Sequence, residues 1–328
     1  MLKFKWIVTV AFCLCGFLVL NGQIEQKDQI ILRVAQQLAD GNTDKNEIRI
    51  ESLTGGLTNE NYKVSIGSRC YFFRVNNGMN SLLGCSLERE WRITSIVSKF
   101  EICPNVAFYA PQEGILVTDF IQAKSDKLNL HDHATMKKLC HQIYDFHSLN
   151  IEFPTQFDPY SNIEYYLEKI RELNIKLPLS LHETILPAIR TFQQLFTSTS
   201  NLNVVKIPAH LDLHVGNILD DGYKLWLIDW EYAAMADPFF DLATLASTEK
   251  FSDSEMIEML RYYLKRNPTK EENDYFYKMR ILADTRWALW SFLQAKISPL
   301  DEPFEQAGNE FIWQILERIE VPPTFPSC

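Results

Sequence analysis

The spacing of apolar residues along the chain predicts a strand-rich region followed by a helical one. Before residue 123, most segments alternate and turn as strands do, whereas two segments repeat at helical intervals. The predicted strands are residues 48–75, 106–109 and 114–121, and the predicted helices are residues 28–39 and 86–100. We therefore expect an antiparallel sheet with accompanying helices in this region.

From residue 131 onward the pattern is mostly helical. The predicted helices are residues 134–149, 161–173, 180–196, 241–247, 254–265, 271–296 and 303–319. A short strand is expected at residues 204–208, and the Pro-rich residues 322–326 predict an extended tail. Two apolar segments, residues 217–219 and 225–228, are separated by Asp-Asp-Gly and predict a hairpin.

Four polar residues flank this hairpin. His210 and Asp212 precede it, Asn217 follows Asp212 by five residues, and Asp229 ends the second apolar segment. In phosphoryl transfer one carboxylate can accept a hydroxyl proton, while an amide and a second carboxylate can hold Mg²⁺. The hairpin would bring Asn217 and Asp229 close enough to share one ion. The alternative, that these residues only cap loops and turns, is disfavoured because an unpaired charge after an apolar strand is costly.

This segment resembles a known superfamily. Residues 210–241 resemble the catalytic and metal-binding segment of the choline/ethanolamine kinases and aminoglycoside phosphotransferases, which are relatives of the protein kinases, and residues 225–245 resemble bacterial choline kinases. The resemblance extends over residues 45–320. It implies a two-lobed, protein-kinase-like α+β fold, with a small antiparallel-sheet N-lobe at residues 23–123 and a larger, mostly helical C-lobe at residues 124–328.

The N-lobe would bind the nucleotide. A glycine pair with Thr and Asn at residues 53–62 resembles the family's nucleotide loop, although a plain hairpin turn would give the same pattern. Arg74 resembles the position that contacts ATP phosphates, the alternative being a surface Arg on an edge strand. Glu90 resembles its ion-pair partner, with Glu88 as the competitor. The resemblance thus assigns Gly55, Gly56, Thr58, Asn59, Asn61, Arg74 and Glu90 to nucleotide binding.

A second informative segment contains Trp287 and Trp290, which are three residues apart and would share one helix face. Paired Trp residues are more often core, but this segment resembles the choline-pocket helix of choline and ethanolamine kinases. Aromatic ring faces attract quaternary ammonium groups. We expect Tyr232 to complete an aromatic cage and Glu231 to balance the cation or support the metal.

The resemblance implies an ATP- and Mg²⁺-dependent kinase that phosphorylates choline or ethanolamine. Asp212 would orient the hydroxyl and accept its proton, Asn217 and Asp229 would hold Mg²⁺, His210 would brace the catalytic loop, and Asp241 would fix this loop by hydrogen bonds. Two alternatives stay open. One is a kinase for thiamine or another small alcohol, and the other is a catalytically inactive choline-binding module.

Composition excludes several other classes of function. The formal net charge is −10 and there is no block of Lys or Arg, which argues against a nucleic-acid partner. The seven cysteines are scattered without a Cys-x-x-Cys pair, so the chain is typical of a reducing compartment, without structural zinc or disulfides. The four histidines of the first C-lobe helix region are expected to be solvated or to cap, rather than to bind zinc: His131, His133, His141 and His147.

Residues 1–22 do not fit a simple cytoplasmic enzyme. Lys3 and Lys5 precede residues 6–20, which carry no charge and resemble a signal peptide, although this run is short for a membrane-spanning helix. Because a kinase exported from the cytoplasm would lack ATP, we favour an anchor or extension on a cytoplasmic enzyme, associated with the inner membrane through residues 6–20. Export stays the alternative, and the sequence predicts no oligomeric state.

Overall fold

The computed structural model describes residues 26–39, 47–54, 56–76, 80–124, 128–199 and 205–320. The chain forms two compact units: the first comprises Met1–Leu128 and Ile218–Glu231, and the second comprises Asn129–Asn217 and Tyr232–Cys328. The apolar segment 1–22, Gly55 and the Pro-rich tail 322–326 lie outside the described residues. Within the described ranges, no helix combines the length and apolar character that a membrane span requires.

The first unit contains the antiparallel sheet that the alternating pattern predicts. Its strands are β1 (Ile48–Leu53), β2 (Asn59–Ile66), β3 (Arg69–Asn76), β4 (Val106–Ala110) and β5 (Ile115–Asp119). Their order in the sheet is β1-β2-β3-β5-β4, and every neighbouring pair is antiparallel. Because β3 is the central strand, Arg74 does not lie on a sheet edge, and the edge-strand alternative for this residue is wrong.

Two helices accompany this sheet at the predicted positions. Helix α1 (Gln26–Leu38) packs Ile31 and Val34 into the same buried cluster as Phe73 of β3, as expected from their helical spacing. Helix α2 (Leu87–Val97) begins after Ser86, whose side chain accepts a hydrogen bond from the Arg89 backbone N–H. The helix ends three residues earlier than predicted, because the chain continues there as a 3₁₀ turn.

The predicted hairpin is confirmed and belongs to the first unit. Strands β7 (Ile218–Asp220) and β8 (Leu225–Leu227) are antiparallel, with Ile218 opposite Leu227. The Asp221 carboxylate fixes the turn by accepting the backbone N–H groups of residues 223 and 224 and the indole N–H of Trp226. Asn217, predicted to start the first strand, instead lies in a 3₁₀ turn just before it.

The second unit is mostly helical, as predicted. Its helices are α3 (His133–His147), α4 (Pro159–Glu172), α5 (Leu186–Thr199), α6 (Pro238–Thr248), α7 (Asp253–Leu264), α8 (Lys270–Ile297) and α9 (Phe304–Glu320). A short strand pair, β6 (Ile207–Ala209) with β9 (Ala234–Ala236), accompanies them. Strand β9 escaped the sequence analysis because its three residues, Ala-Met-Ala, are all apolar and show no alternation.

Helix α8 is the central element of the second unit. It has 28 residues and packs against α4, α6 and α9. Thr269 and Glu272 form a capping box at its start. Most side chains of its C-terminal half are buried on every side, which is typical of a helix in the middle of a bundle. Trp287 and Trp290 lie in this buried half.

Candidate active site

In the first unit, Arg74 lies among three carboxylates. Its guanidinium Nη1 is 2.8 Å from Glu90 Oε1, 2.6 Å from Asp229 Oδ1 and 3.8 Å from Glu231 Oε2. The predicted ion pair with Glu90 is therefore present. The competitor Glu88 is on the exposed side of α2 and pairs with Arg92 at 2.5 Å.

In this cluster the three carboxylates outnumber the single guanidinium. Burial alone would lower the pKa of Arg74, but the neighbouring carboxylates of Asp229 and Glu90 raise it, so the guanidinium stays charged. Burial raises the pKa of Glu90 to about 7 in spite of Arg74. Among the described residues, Glu90 Oε2 is buried and has no hydrogen-bond partner. Carboxylate oxygens are the ligand type that fits Mg²⁺, but among the described residues no three His, Cys, Asp or Glu side chains are grouped so that they could hold a metal ion. A divalent cation would therefore need other oxygen ligands besides these carboxylates.

The predicted nucleotide loop contacts this cluster through Glu231. Thr58 Oγ1 and Asn59 Nδ2 each donate to the Glu231 carboxylate at 3.1 Å. Arg89 also donates to the Glu231 backbone carbonyl at 2.8 Å. The carboxylate thus accepts from donor groups of the kind that bind phosphate oxygens, a contact that the sequence analysis did not foresee. The substrate role predicted for Glu231 stays a prediction.

Gly56 is required by the tight geometry of this loop. A Cβ atom at this position would lie 2.5 Å from the Asn59 carbonyl oxygen and 2.6 Å from Asn61 Nδ2, closer than real side chains come. Asn61 Oδ1 is buried without a hydrogen-bond donor among the described residues. Of the predicted loop residues, the structure therefore brings Gly56, Thr58, Asn59 and Asn61 together.

Asp229 has an unusual backbone. It follows β8 and has a φ of 68°, in the left-handed region that non-glycine residues seldom adopt. Such strain persists only where surrounding contacts fix it, and it is concentrated at functional sites. The ion pair with Arg74 is one such contact.

In the second unit, Asp212 and Asn217 lie together as the sequence predicts. Asn217 Nδ2 donates to both the backbone carbonyl and Oδ2 of Asp212, each at 2.9 Å. This orientation commits the amide nitrogen to Asp212, so the amide oxygen is the atom that would bind a cation. His214, which the sequence analysis did not select, has its Nε2 4.0 Å from Asp212 Oδ2. Its position two residues after Asp212 was the available signal.

Asp241 holds the predicted catalytic loop by hydrogen bonds, as expected. Its carboxylate accepts the backbone N–H groups of His210 at 2.7 Å and Leu211 at 2.5 Å. His147 Nε2 lies 3.0 Å from the same carboxylate, and His147 Nδ1 is 2.9 Å from the Tyr263 hydroxyl. Burial opposes ionisation of Asp241, but the His147 and His210 interactions outweigh it and lower the pKa.

The expectation that His147 is solvated or caps a helix is wrong. Its side chain is buried, and it links α3 to the carboxylate of Asp241 on α6. The reason is a pairing of distant segments that helix periodicity does not reveal.

The aromatic residues predicted for the substrate pocket also lie together in the second unit. The Trp287 and Trp290 rings meet edge to face with centroids 5.5 Å apart. Trp290 Nε1 donates to the Tyr232 hydroxyl at 3.0 Å. Only 9% of Trp287 and 5% of Trp290 is exposed, and the guanidinium of Arg286 lies 4.6 Å from the centre of the Tyr232 ring. Among the described residues, Trp287 Nε1 has no acceptor, so this buried donor is available to a ligand.

Comparison with known proteins identifies the family of this chain. The sequence profile of the family described as choline/ethanolamine kinase matches residues 50–279. Protein LicA of Haemophilus influenzae is 22% identical over 277 residues, covering 82% of this chain and 77% of that protein. A probable ethanolamine kinase of Arabidopsis thaliana is 24% identical over 318 residues, covering 83% and 79%.

A solved structure confirms the predicted fold class. Choline kinase LicA from Streptococcus pneumoniae superposes with a TM-score of 0.74 at 22% identity, covering 90% of this chain and 99% of that one. At this identity the likeness concerns the fold, which is the kinase-like α+β architecture expected from the resemblance.

Proposed function

Since this chain belongs to the choline/ethanolamine kinase family, we propose that it transfers the γ-phosphoryl group of ATP to the hydroxyl of choline. The chain is a phosphotransferase with an alcohol as acceptor. The product would be phosphocholine. Catalysis in such enzymes is mainly positioning and charge neutralisation, so the roles below concern binding, orientation and one proton.

The observation that carries this function is the pairing of Asp212 with Asn217. The amide N–H of Asn217 donates to the Asp212 carboxylate, and Asp241 anchors the two residues that precede Asp212. A hydrogen bond to the charged form favours ionisation, which a proton acceptor needs. Asp212 therefore orients the substrate hydroxyl and accepts its proton during phosphoryl transfer.

The groups proposed for the phosphates and the metal fit the donor types of the first unit. Arg74 would contact the triphosphate as a charged fork, and Gly56, Thr58 and Asn59 would bring backbone and side-chain donors to it. Asn217 and Asp229 would be the protein ligands of Mg²⁺. When bound, this ion neutralises phosphate charge as it builds up in the transition state.

The acceptor end is the aromatic cluster of Tyr232, Trp287 and Trp290. A quaternary ammonium on a desolvated ring face gains about 2 kcal/mol. Ethanolamine is the second candidate, because Arg286 covers part of the Tyr232 and Trp287 rings and leaves less aromatic surface for three methyl groups. A primary ammonium would instead donate hydrogen bonds to acceptors such as the Tyr232 hydroxyl.

A substrate panel tests this function by ADP release. The panel contains choline, ethanolamine, thiamine and 3,3-dimethylbutan-1-ol, the uncharged analogue of choline. We expect the highest kcat/KM with choline, and a value at least roughly tenfold lower with the uncharged analogue because the cation–π contact is lost. In Asp212→Ala, turnover should disappear while ATP binding, measured by calorimetry, is retained.

Other outcomes would replace this function. A highest kcat/KM with ethanolamine or thiamine would reassign the substrate. Choline binding without ADP release from any alcohol would identify an inactive choline-binding module, which the sequence left open.

A further inference from the structure

We propose that Arg286 is a positioning residue that holds the catalytic loop and the aromatic cluster in register with each other. The role of the aromatic cluster as a substrate pocket rests on the proposed function. The contacts of Arg286 do not, because they lie within the second unit and can be tested without turnover.

The surroundings of Arg286 are unusual for a buried cation. The side chain is 3% exposed, and Nη1 donates to the Leu211 backbone carbonyl at 2.7 Å. Among the described residues, no carboxylate lies within ion-pair distance of it. Instead the guanidinium lies 4.6 Å from the Tyr232 ring centre and 5.2 Å from that of Trp287. A third ring, that of Phe157, has its centre 5.9 Å away. Since a buried charge is costly unless compensated, the carbonyl and these ring faces stabilise it.

The loop side of this contact is Leu211, the residue directly before Asp212. Leu211 has a φ of 65°, in the left-handed region that a branched side chain disfavours. Its backbone N–H is bound by Asp241 and its carbonyl by Arg286, so both of its peptide groups are held. The peptide between Leu211 and Asp212 contains that carbonyl. Its orientation therefore sets the direction in which the Asp212 carboxylate leaves the backbone.

The pocket side is a connected set of rings. The guanidinium lies against Tyr232, and the Tyr232 hydroxyl accepts the indole N–H of Trp290. Trp290 in turn meets Trp287 edge to face. One side chain thus contacts the residue before the proposed proton acceptor and two residues of the proposed ammonium site. A fixed spacing between these groups is what transfer to a small alcohol requires.

The same helix offers a matched control. Arg280 also lies on α8, is 1% exposed, and donates to a backbone carbonyl, that of Phe251, at 3.1 Å. Phe251 is not part of the catalytic loop. Arg280→Met and Arg286→Met therefore remove the same kind of buried donor, and only the second variant affects the loop.

Kinetics with the best alcohol of the panel give the first test. In Arg286→Met we expect kcat to fall roughly ten- to a hundredfold, the scale of a small misplacement of reacting groups, with KM for ATP unchanged. Arg286→Lys should recover part of kcat, because it retains a charged donor but not the planar guanidinium that stacks on rings. Arg280→Met should lose as much thermal stability as Arg286→Met does. Its kcat should stay close to that of the parent enzyme.

Hydrogen–deuterium exchange gives a second test that does not need turnover. The peptide covering residues 207–217 should exchange faster in Arg286→Met than in the parent chain. In Arg280→Met its exchange rate should equal that of the parent chain. Equal losses of kcat in the two Met variants, or unaltered exchange of this peptide in Arg286→Met, would overturn the role of Arg286. If the parent enzyme turned over no alcohol, the proposed function would fail, and exchange alone would decide the role of Arg286.

Discussion

Arg74 shows how much of the first unit depends on a single residue. One guanidinium on the central strand partners Glu90 and Asp229 directly and lies 3.8 Å from Glu231. Removing it would leave buried carboxylates without a counter-charge. Breaking a buried pair in this way destabilises a protein far more than losing an exposed pair, because the remaining charge stays desolvated.

Arg74→Met and Arg92→Met compare these two cases for carboxylates on one helix, α2. Arg74 pairs with the buried Glu90, whereas Arg92 pairs with the exposed Glu88. We expect the free energy of unfolding to fall by about 3–5 kcal/mol in the first variant and by no more than about 0.5 kcal/mol in the second. Urea titration monitored by circular dichroism measures both. Losses of equal size would mean that the Arg74 cluster is not the stabilising feature inferred here.

For single residues, the sequence predicts the inward direction of Glu90 but not the contacts of Glu231. Glu90 lies three and seven residues before Ile93 and Val97, which are buried on the inner face of α2, so helical spacing alone points it inward. Glu88 faces outward by the same rule. The contact of Glu231 with Thr58 and Asn59 joins residues more than 170 positions apart, and no local pattern encodes it.

For a whole element, helix α6, the local sequence again predicts only part of what the structure shows. It begins at Pro238, three residues before its predicted start, with the Asp237 side chain accepting the Phe239 N–H at 2.8 Å. Asp-Pro is a recognisable N-cap and first-turn signal, so this boundary could have been found. That the first turn places the Asp241 carboxylate on the catalytic loop was implied only by the family resemblance.

Asp241→Asn tests this anchor and its pH dependence. The substitution keeps the size of the side chain but gives the His210 and Leu211 N–H groups a weaker acceptor, so we expect a loss of about 3 kcal/mol at pH 7. The pKa of Asp241 is lowered in the folded state. Its ionised form therefore stabilises the protein fully at pH values above the ordinary pKa of an Asp side chain, about 3.9. That stabilisation is lost as the pH falls through the folded-state pKa.

The difference between parent and variant should therefore be constant from pH 7 to about pH 5 and shrink below about pH 4. Unfolding free energies measured across this range give the comparison. A difference that grew on acidification would mean that the Asp241 carboxylate is not held in its ionised form.

For the whole molecule, the fold class followed from the resemblance and is confirmed. Which segments of the chain make up each of the two units was harder to predict. The hairpin Ile218–Glu231 is grouped with residues far earlier in the chain, so the first unit is discontinuous in sequence. Periodicity identifies the strands β7 and β8 but not the sheet or core that they join. Pairings at long sequence separation are the part of the fold that local pattern does not determine.

Ligand binding should stabilise the whole molecule in a metal-dependent way. A ligand that binds only the folded state at about 100 times its Kd adds about 2.7 kcal/mol to the free energy of unfolding. For a chain of this size we expect a rise in Tm of roughly 5 °C with ATP and Mg²⁺. With ATP and EDTA the rise should be smaller, because at the proposed site the triphosphate charge would face Glu90, Asp229 and Glu231 without a divalent cation between them. In Asp229→Asn the difference between the two conditions should shrink, since a neutral amide replaces the charged one of the two proposed metal ligands. Differential scanning fluorimetry gives all the values, and an equal rise with Mg²⁺ and with EDTA in the parent chain would exclude the metal role of Asp229.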